Sequence, residues 1–288
     1  MSEPLPSLRA PVVLAAFEGW NDAGEAASGA VAHLHRVWGA QPIVAFDPET
    51  YHDFQVNRPV VRFDDDGRRR ITWPTTRLSW ASPPGSDRDV ILVRGIEPSM
   101  RWRTYTDEIL GHVSRLRSSI LVTLGALLAD VPHTRPIPIS STTDDSELLA
   151  SLSLEQSRYE GPTGIVGVLQ DAATLSGLPA LSLWAAVPHY VGHSPSPKAV
   201  LALLARVEDV LEVSVPLEDL AAEAEAWEHG VDELAGEDEE IGEYVRQLEQ
   251  AKDTTDLPEA TGEAIARDFE RYLRRRGDGP GGQQRPSA

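Results

Sequence analysis

The chain alternates short, uninterrupted apolar runs with longer stretches of helical periodicity. Residues 11–17, Pro-Val-Val-Leu-Ala-Ala-Phe, are apolar throughout, the pattern of a strand buried on both faces of a parallel sheet. Residues 89–95 (DVILVRG) and 179–188 (PALSLWAAVP) read the same way, 42–47 (PIVAFD) gives a further strand, and 120–130 (ILVTLGALLAD) begins like one. Residues 60–73 alternate about Asp-Asp-Gly and predict a β-hairpin. Between the runs lie helices. Residues 22–38 carry Asp22 and Glu25 at capping-box spacing and are followed by Gly39. Residues 101–118 set Ile109, Val113 and Leu116 on one stripe, 164–177 form a Gly-rich helix, and another begins near Pro197. The hydroxyl-rich 141–145 (STTDD) reads as a helix cap. Strand and helix alternate about every 30 residues, so the expected fold is α/β: a mainly parallel sheet between two helical layers, joined by right-handed crossovers.

The periodicity changes after residue 216. Leu217, Leu220, Ala224 and Trp227, then Ile241, Tyr244, Val245 and Leu248, predict two amphipathic helices broken near Gly236. Residues 258–276 predict one more, with Pro258 at its start and Gly277 just beyond. The composition of GDGPGGQQRPSA predicts disorder. The expected organisation is an α/β core over 1–214, an acidic helical region over 215–276 and a disordered tail over 277–288.

Charge sharpens this division. Formal net charge is −19, and residues 217–250 hold 13 Asp or Glu against one Arg. Such a balance repels phosphate backbones, so nucleic acid is not an expected partner. No cysteine is present, which excludes disulfides, thiolate catalysis and Cys-ligated metal and fits a reducing, cytoplasmic setting. The first apolar run is too short for a signal peptide or a membrane span, and no later run reaches 18 residues. The only lysines are Lys198 and Lys252, which leaves little room for Schiff-base chemistry.

Candidate chemistry gathers where strands end. Val-Pro-His closes two of the apolar segments, at 131–133 and 187–189. Val-Pro ends a strand cleanly, because Pro cannot donate to a ladder and holds the preceding residue extended. If both strands are parallel, His133 and His189 emerge on the carboxyl border, where open α/β sheets bind ligands. The candidate rim therefore comprises Gly19, Trp20, Asn21 and Asp22 after the first strand; Asp130, His133, Thr134 and Arg135; Glu160, Gly161, Thr163 and Gly164 in a Gly-rich turn; and His189 with Tyr190. Gly19 permits a tight turn before the helix that Asp22 opens. Plain structural roles compete at each position: Asp22 as a cap, Trp20 as a cover for the sheet edge, the histidines as hydrogen-bonded packing. Neither a Gly-x-Gly-x-x-Gly nor a Gly-x-Ser-x-Gly pattern occurs, so dinucleotide and serine-hydrolase readings have no support. No ligand spacing favours a metal, and no cofactor is implied.

Six segments in order, FEGWNDAGEAAS, YHDFQVNRP, GIEPSMRW, LGALLADVPHTRPIPI, YEGPTGIVGVL and LWAAVPHYV, resemble the actinobacterial branch of the proteasome assembly chaperone 2 family over about residues 10–250. The resemblance implies a sandwich similar to nucleoside phosphorylases and hydrolases, a frequently homo-oligomeric protein, and a non-enzymatic role with a protein partner such as proteasome α-subunits. It carries over no catalytic residue. Relatives that dock by a hydrophobic–Tyr–any terminus differ from this chain's Arg-Pro-Ser-Ala ending, so that docking mode is not expected. The alternative is a small-molecule protein, binding a nucleoside-like ligand at the rim.

Overall fold

β1 (Val12–Glu18) has six consecutive buried residues because both of its faces are covered. Val12, Leu14 and Ala16 enter one core, and Val13, Ala15 and Phe17 the other. The computed structural model describes residues 5–64, 66–152, 154, 159–192 and 195–256. After β1 come α1 (Ala26–Val37), β2 (Gln41–Ala45), α2 (Pro48–Tyr51), β3 (Val60–Phe63), β4 (Arg69–Thr72), β5 (Arg77–Ala81), β6 (Val90–Ile96) and α3 (Trp102–Arg115). They are followed by β7 (Ile120–Ala129), β8 (Ile139–Thr142), α4 (Ser146–Ser151), α5 (Ile165–Leu175), β9 (Ala180–Pro188), α6 (Pro197–Leu211), α7 (Leu220–Glu237) and α8 (Glu239–Asp256).

Seven strands form one mixed sheet in the order β2-β5-β6-β1-β7-β9-β8. The four central strands, β6, β1, β7 and β9, are parallel. β5 and β2 extend one side and β8 the other, all antiparallel to their neighbours. Helices α1 and α6 cover one face, and α3 and α5 the other, giving the α/β sandwich that the apolar runs imply. Each fully buried Leu or Ile in these cores contributes about 1.5–3 kcal/mol.

The residues least legible in the sequence are those at the sheet's edges. β5 and β8 are short and rich in polar residues, and β2 has no fully buried residue. β7 runs to Ala129, farther than its start alone predicts, paired with β9 along its length. Gly125 permits this pairing: a Cβ there would lie 2.6 Å from the Trp184 ring.

The capping box at the start of α1 does not form. Glu25 is left-handed (φ 50°) and itself occupies the N-cap position after a 3₁₀ turn at Ala23–Glu25. Asp22 still caps, from three residues upstream, its Oδ1 accepting from the Ala27 and Ser28 amides at 2.8 and 3.1 Å. Elsewhere the caps follow the sequence: Asp145 opens α4 and Ser196 opens α6.

The acidic region forms the expected pair of helices, with the break at Asp238 rather than Gly236. Asp238 Oδ1 accepts from the Glu240 and Ile241 amides and so starts α8. Leu220, Ala224 and Val231 bury one stripe of α7, which packs against α6, and Val245 is buried on α8. The expected helix over 258–276 and tail over 277–288 lie outside the described residues. Among the described residues no helix is long and apolar enough to cross a membrane.

Candidate functional site at the carboxyl border

β7 and β9 pair in parallel with Ala129 opposite Pro188, so the two Val-Pro-His ends emerge side by side. The two histidines differ in setting. His133 is fully buried, whereas His189 is exposed. The Tyr190 hydroxyl accepts the His133 backbone N–H at 2.8 Å and lies 2.9 Å from its Nδ1. With that hydroxyl donating to Nδ1, the His133 Nε2–H faces Asp232 Oδ1 of α7 at 3.0 Å. Burial pushes the Tyr190 phenol up to about 12, and the His133 amide that it accepts pulls the other way.

The helices α7 and α8 lie over this half of the rim and engage all six of its candidate residues. Lys198, near the start of α6, donates both to the His133 carbonyl and to the Glu228 carboxylate of α7. Arg135 makes a two-pronged contact with Asp253 of α8, at 2.9 and 2.8 Å, and also reaches Glu249 at 3.3 Å. Thr134 donates to the same Glu249. Asp130 accepts from Tyr244 of α8 at 2.9 Å and lies 3.4 Å from His189 Nδ1. The His189 ring stands edge-on to Tyr190 and Tyr244. The acidic appendage is thus an arm clamped to the border by its inward-facing carboxylates.

The other half of the rim is organised by Glu97, just past β6. Glu97 Oε1 accepts from Asn21 Nδ2 at 3.2 Å and from the Ile165 amide at the start of α5 at 2.9 Å. Gly19 sits at φ +127°, a conformation open to glycine, and a Cβ there would lie 3.3 Å from the Glu97 Cβ. Gly164 lets Asn21 approach: a Cβ on it would stand 2.0 Å from Asn21 Nδ2. Asn21 and Asp22 are buried, while Trp20, Glu160, Gly161 and Thr163 are exposed.

The PAC2 family model matches residues 16–235. The chain belongs to the PAC2 family. A PAC2 family protein of Streptomyces avermitilis is 57% identical, with a TM-score of 0.77 over 82% of this chain and 99% of that one. A proteasome-assembly chaperone homologue of Mycobacterium tuberculosis is also 57% identical, with a TM-score of 0.74 over 81% and 99%. PbaB, an archaeal proteasome activator of Pyrococcus furiosus, is 17% identical with a TM-score of 0.64 over 81% and 97%, and shares the fold. A search of curated proteins gave no match.

In this PAC2 protein an open cleft of about 520 Å³ lies between the end of β1 and α1, lined by residues that include Glu18, Asp22, Glu25, Ser28 and Arg94. Of the candidate rim residues, Gly19 and Asp22 line it. Desolvation raises both the Glu18 and the Asp22 carboxyls, opposed at Glu18 by Arg94 and at Asp22 by the Ser28 and Ala27 donors. The candidate rim therefore divides into an arm-covered half, a half knitted together by Glu97, and a cleft beside them. Among the described residues no group of three or more His, Asp or Glu is placed to hold a metal ion. Sequence reading missed Glu97, Lys198, Glu228 and Asp232. The only available signals were the rarity of lysine and the i, i+4 spacing of Glu228 and Asp232.

Proposed function

We propose that this protein is a non-enzymatic, chaperone-like interaction protein that acts on proteasome α-subunits in the cytoplasm, presenting its acidic arm to a basic face of the partner. The observation that carries this reading is the arm itself. Its carboxylates fill the border where the fold would otherwise offer a ligand site. Glu225, Glu237, Glu239 and Glu240 remain exposed on its outer side. A single-sign surface of this kind steers an oppositely charged partner and opposes nucleic acid. The 57% identical proteasome-assembly chaperone homologue supports the choice of partner. Pull-down with isolated and assembled α-subunits tests it: enrichment is expected at low salt, reduced at moderate salt. No enrichment of any α-subunit at either salt overturns the proteasome assignment.

The cleft beside Arg94 favours a second reading, a small-molecule site that uses Gly19 and Asp22. A ligand at 100 times its Kd stabilises by about 2.7 kcal/mol. A flat thermal-shift response to nucleosides, nucleotides and divalent metals counts against it.

A further inference from the structure

Both strands of the β3–β4 hairpin are exposed at every residue, so none of the described residues covers either face of this ribbon. A two-stranded ribbon left alone in water is marginal. Its register pairs Val61 with Ile71 and Phe63 with Arg69, which puts Val61, Phe63, Ile71 and Arg69 on one face. Phe63 is 71% exposed and Ile71 49%. Trp73, just past β4, is 42% exposed and meets Phe54 edge-on. The second face sets Arg62 directly opposite Arg70, a like-charge pair that costs stability across strands. Asp64 relieves only the Arg70 side, at 3.1 Å. The ribbon is an apolar knob edged with arginine, and its complement is an acidic surface with an apolar centre.

The same chain carries that complement. At the turn from α7 to α8, Glu237, Asp238, Glu239 and Glu240 are consecutive and exposed, and Leu234 is 58% exposed one turn before them. The hairpin leaves the sheet between β2 and β5, the arm lies over β7 and β9, and β6 and β1 stand between them. Among the described residues of one chain both surfaces stay exposed.

We propose that the hairpin of one copy docks on the α7–α8 turn of a second copy, head to tail. The apolar face of Val61, Phe63 and Ile71 covers Leu234, while Arg69 on that same face meets the Glu237–Glu240 carboxylates. Such a contact is heterologous, so it propagates into a closed ring or an open chain of copies rather than a two-fold dimer. It also occupies carboxylates that a basic partner would use, so self-association and partner capture compete.

Sedimentation and light scattering of the purified full chain test this with no partner present, so its outcome is independent of α-subunit capture. The wild type is expected to associate with rising concentration, and less so in high salt. Phe63→Asp with Arg69→Glu disables the hairpin, and Leu234→Arg with Glu239→Lys disables the arm. Each variant alone is expected to bind itself at least about thirtyfold more weakly, as loss of an interface centre does. Both alter exposed positions, and circular dichroism with a melting curve verifies that they fold. An equimolar mixture of the two retains one intact pair of surfaces and is expected to yield a discrete 1:1 dimer that grows no further. A monomeric wild type, an unaffected hairpin variant, or folded variants whose mixture stays monomeric would each overturn the proposal.

Discussion

Replacing His133 with alanine separates an arm anchor from ordinary core packing. The side chain is fully buried and is the link through which Tyr190 on the rim reaches Asp232 on α7. Two losses combine. The hydrogen bond to the Asp232 carboxylate falls at the low end of the charge-assisted range, about 1.5 kcal/mol, because Asp232 is 53% exposed and screened. The space left by the imidazole adds about 1.5 kcal/mol where the surroundings relax only in part. The His133 amide to Tyr190 bond belongs to the backbone and survives the substitution. The total, about 3 kcal/mol, falls on opening of the arm. Hydrogen exchange across 220–256 therefore quickens about a hundredfold, while strands β1 and β6 keep their protection. Asp232→Asn, which keeps the side-chain volume, reproduces at most the hydrogen-bond half, about 1.5 kcal/mol. The clamp assignment fails if His133→Ala leaves arm exchange within threefold of wild type while destabilising the sheet.

Lys198→Met keeps the buried stem but removes the donor to Glu228 and to the His133 carbonyl; a loss of about 2–3 kcal/mol is expected in urea titration, concentrated in the arm. Gly164→Ala drives a methyl into Asn21 and is expected to cost about 1–3 kcal/mol, a cost that shrinks in an Asn21→Ala background when the double-mutant cycle is measured. Stability falls as pH drops below about 6.5. Desolvation holds His33, His52 and His112 below their ordinary value, so the unfolded chain binds more protons in that window. Asp22 and Glu18, raised by desolvation, act in the opposite sense but only nearer the carboxylate range, and a Tm that stays level or rises between pH 7 and 5.5 would contradict the histidine assignment. Replacing Glu237, Glu239 and Glu240 together by Gln is expected to shift Tm little, as exposed positions do, and to weaken α-subunit capture in the pull-down.

The parallel centre of the sheet was legible because a strand covered on both faces is mostly apolar, with its few polar residues paired to each other as Thr123 and Ser182 are. β1 is apolar as far as Phe17, and β6 and β9 are interrupted only by Arg94 and Ser182. β5 and β8 were not legible, because strands at or near the sheet's edge mix polar positions with apolar ones and lose the contrast. The capping box at Asp22 misread the geometry for a related reason: the spacing of Asp22 and Glu25 is right, but a left-handed Glu25 shifts the helix start by a turn, and nothing in residue type signals it. At the rim, the adjacency of His133 and His189 followed from two matching strand ends. What covers them did not, because Asp232 is 99 residues from His133 and its carboxylate looks like any other on an acidic helix.

The arm resolves its charge by direction. Toward the sheet, Glu228, Asp232, Glu249 and Asp253 each meet a partner: Lys198, His133 and Arg135 supply the cations and donors. Away from it, Glu237, Glu239 and Glu240 have no ion pair among the described residues. Carboxylates concentrated on one surface repel each other, a cost that the α8 dipole offsets at Glu239 and Glu240 in its first turn. The inner set accounts for how the arm is held. The outer set makes no ion pair among the described residues, and a surface left open in this way fits one that meets positive charge on another molecule.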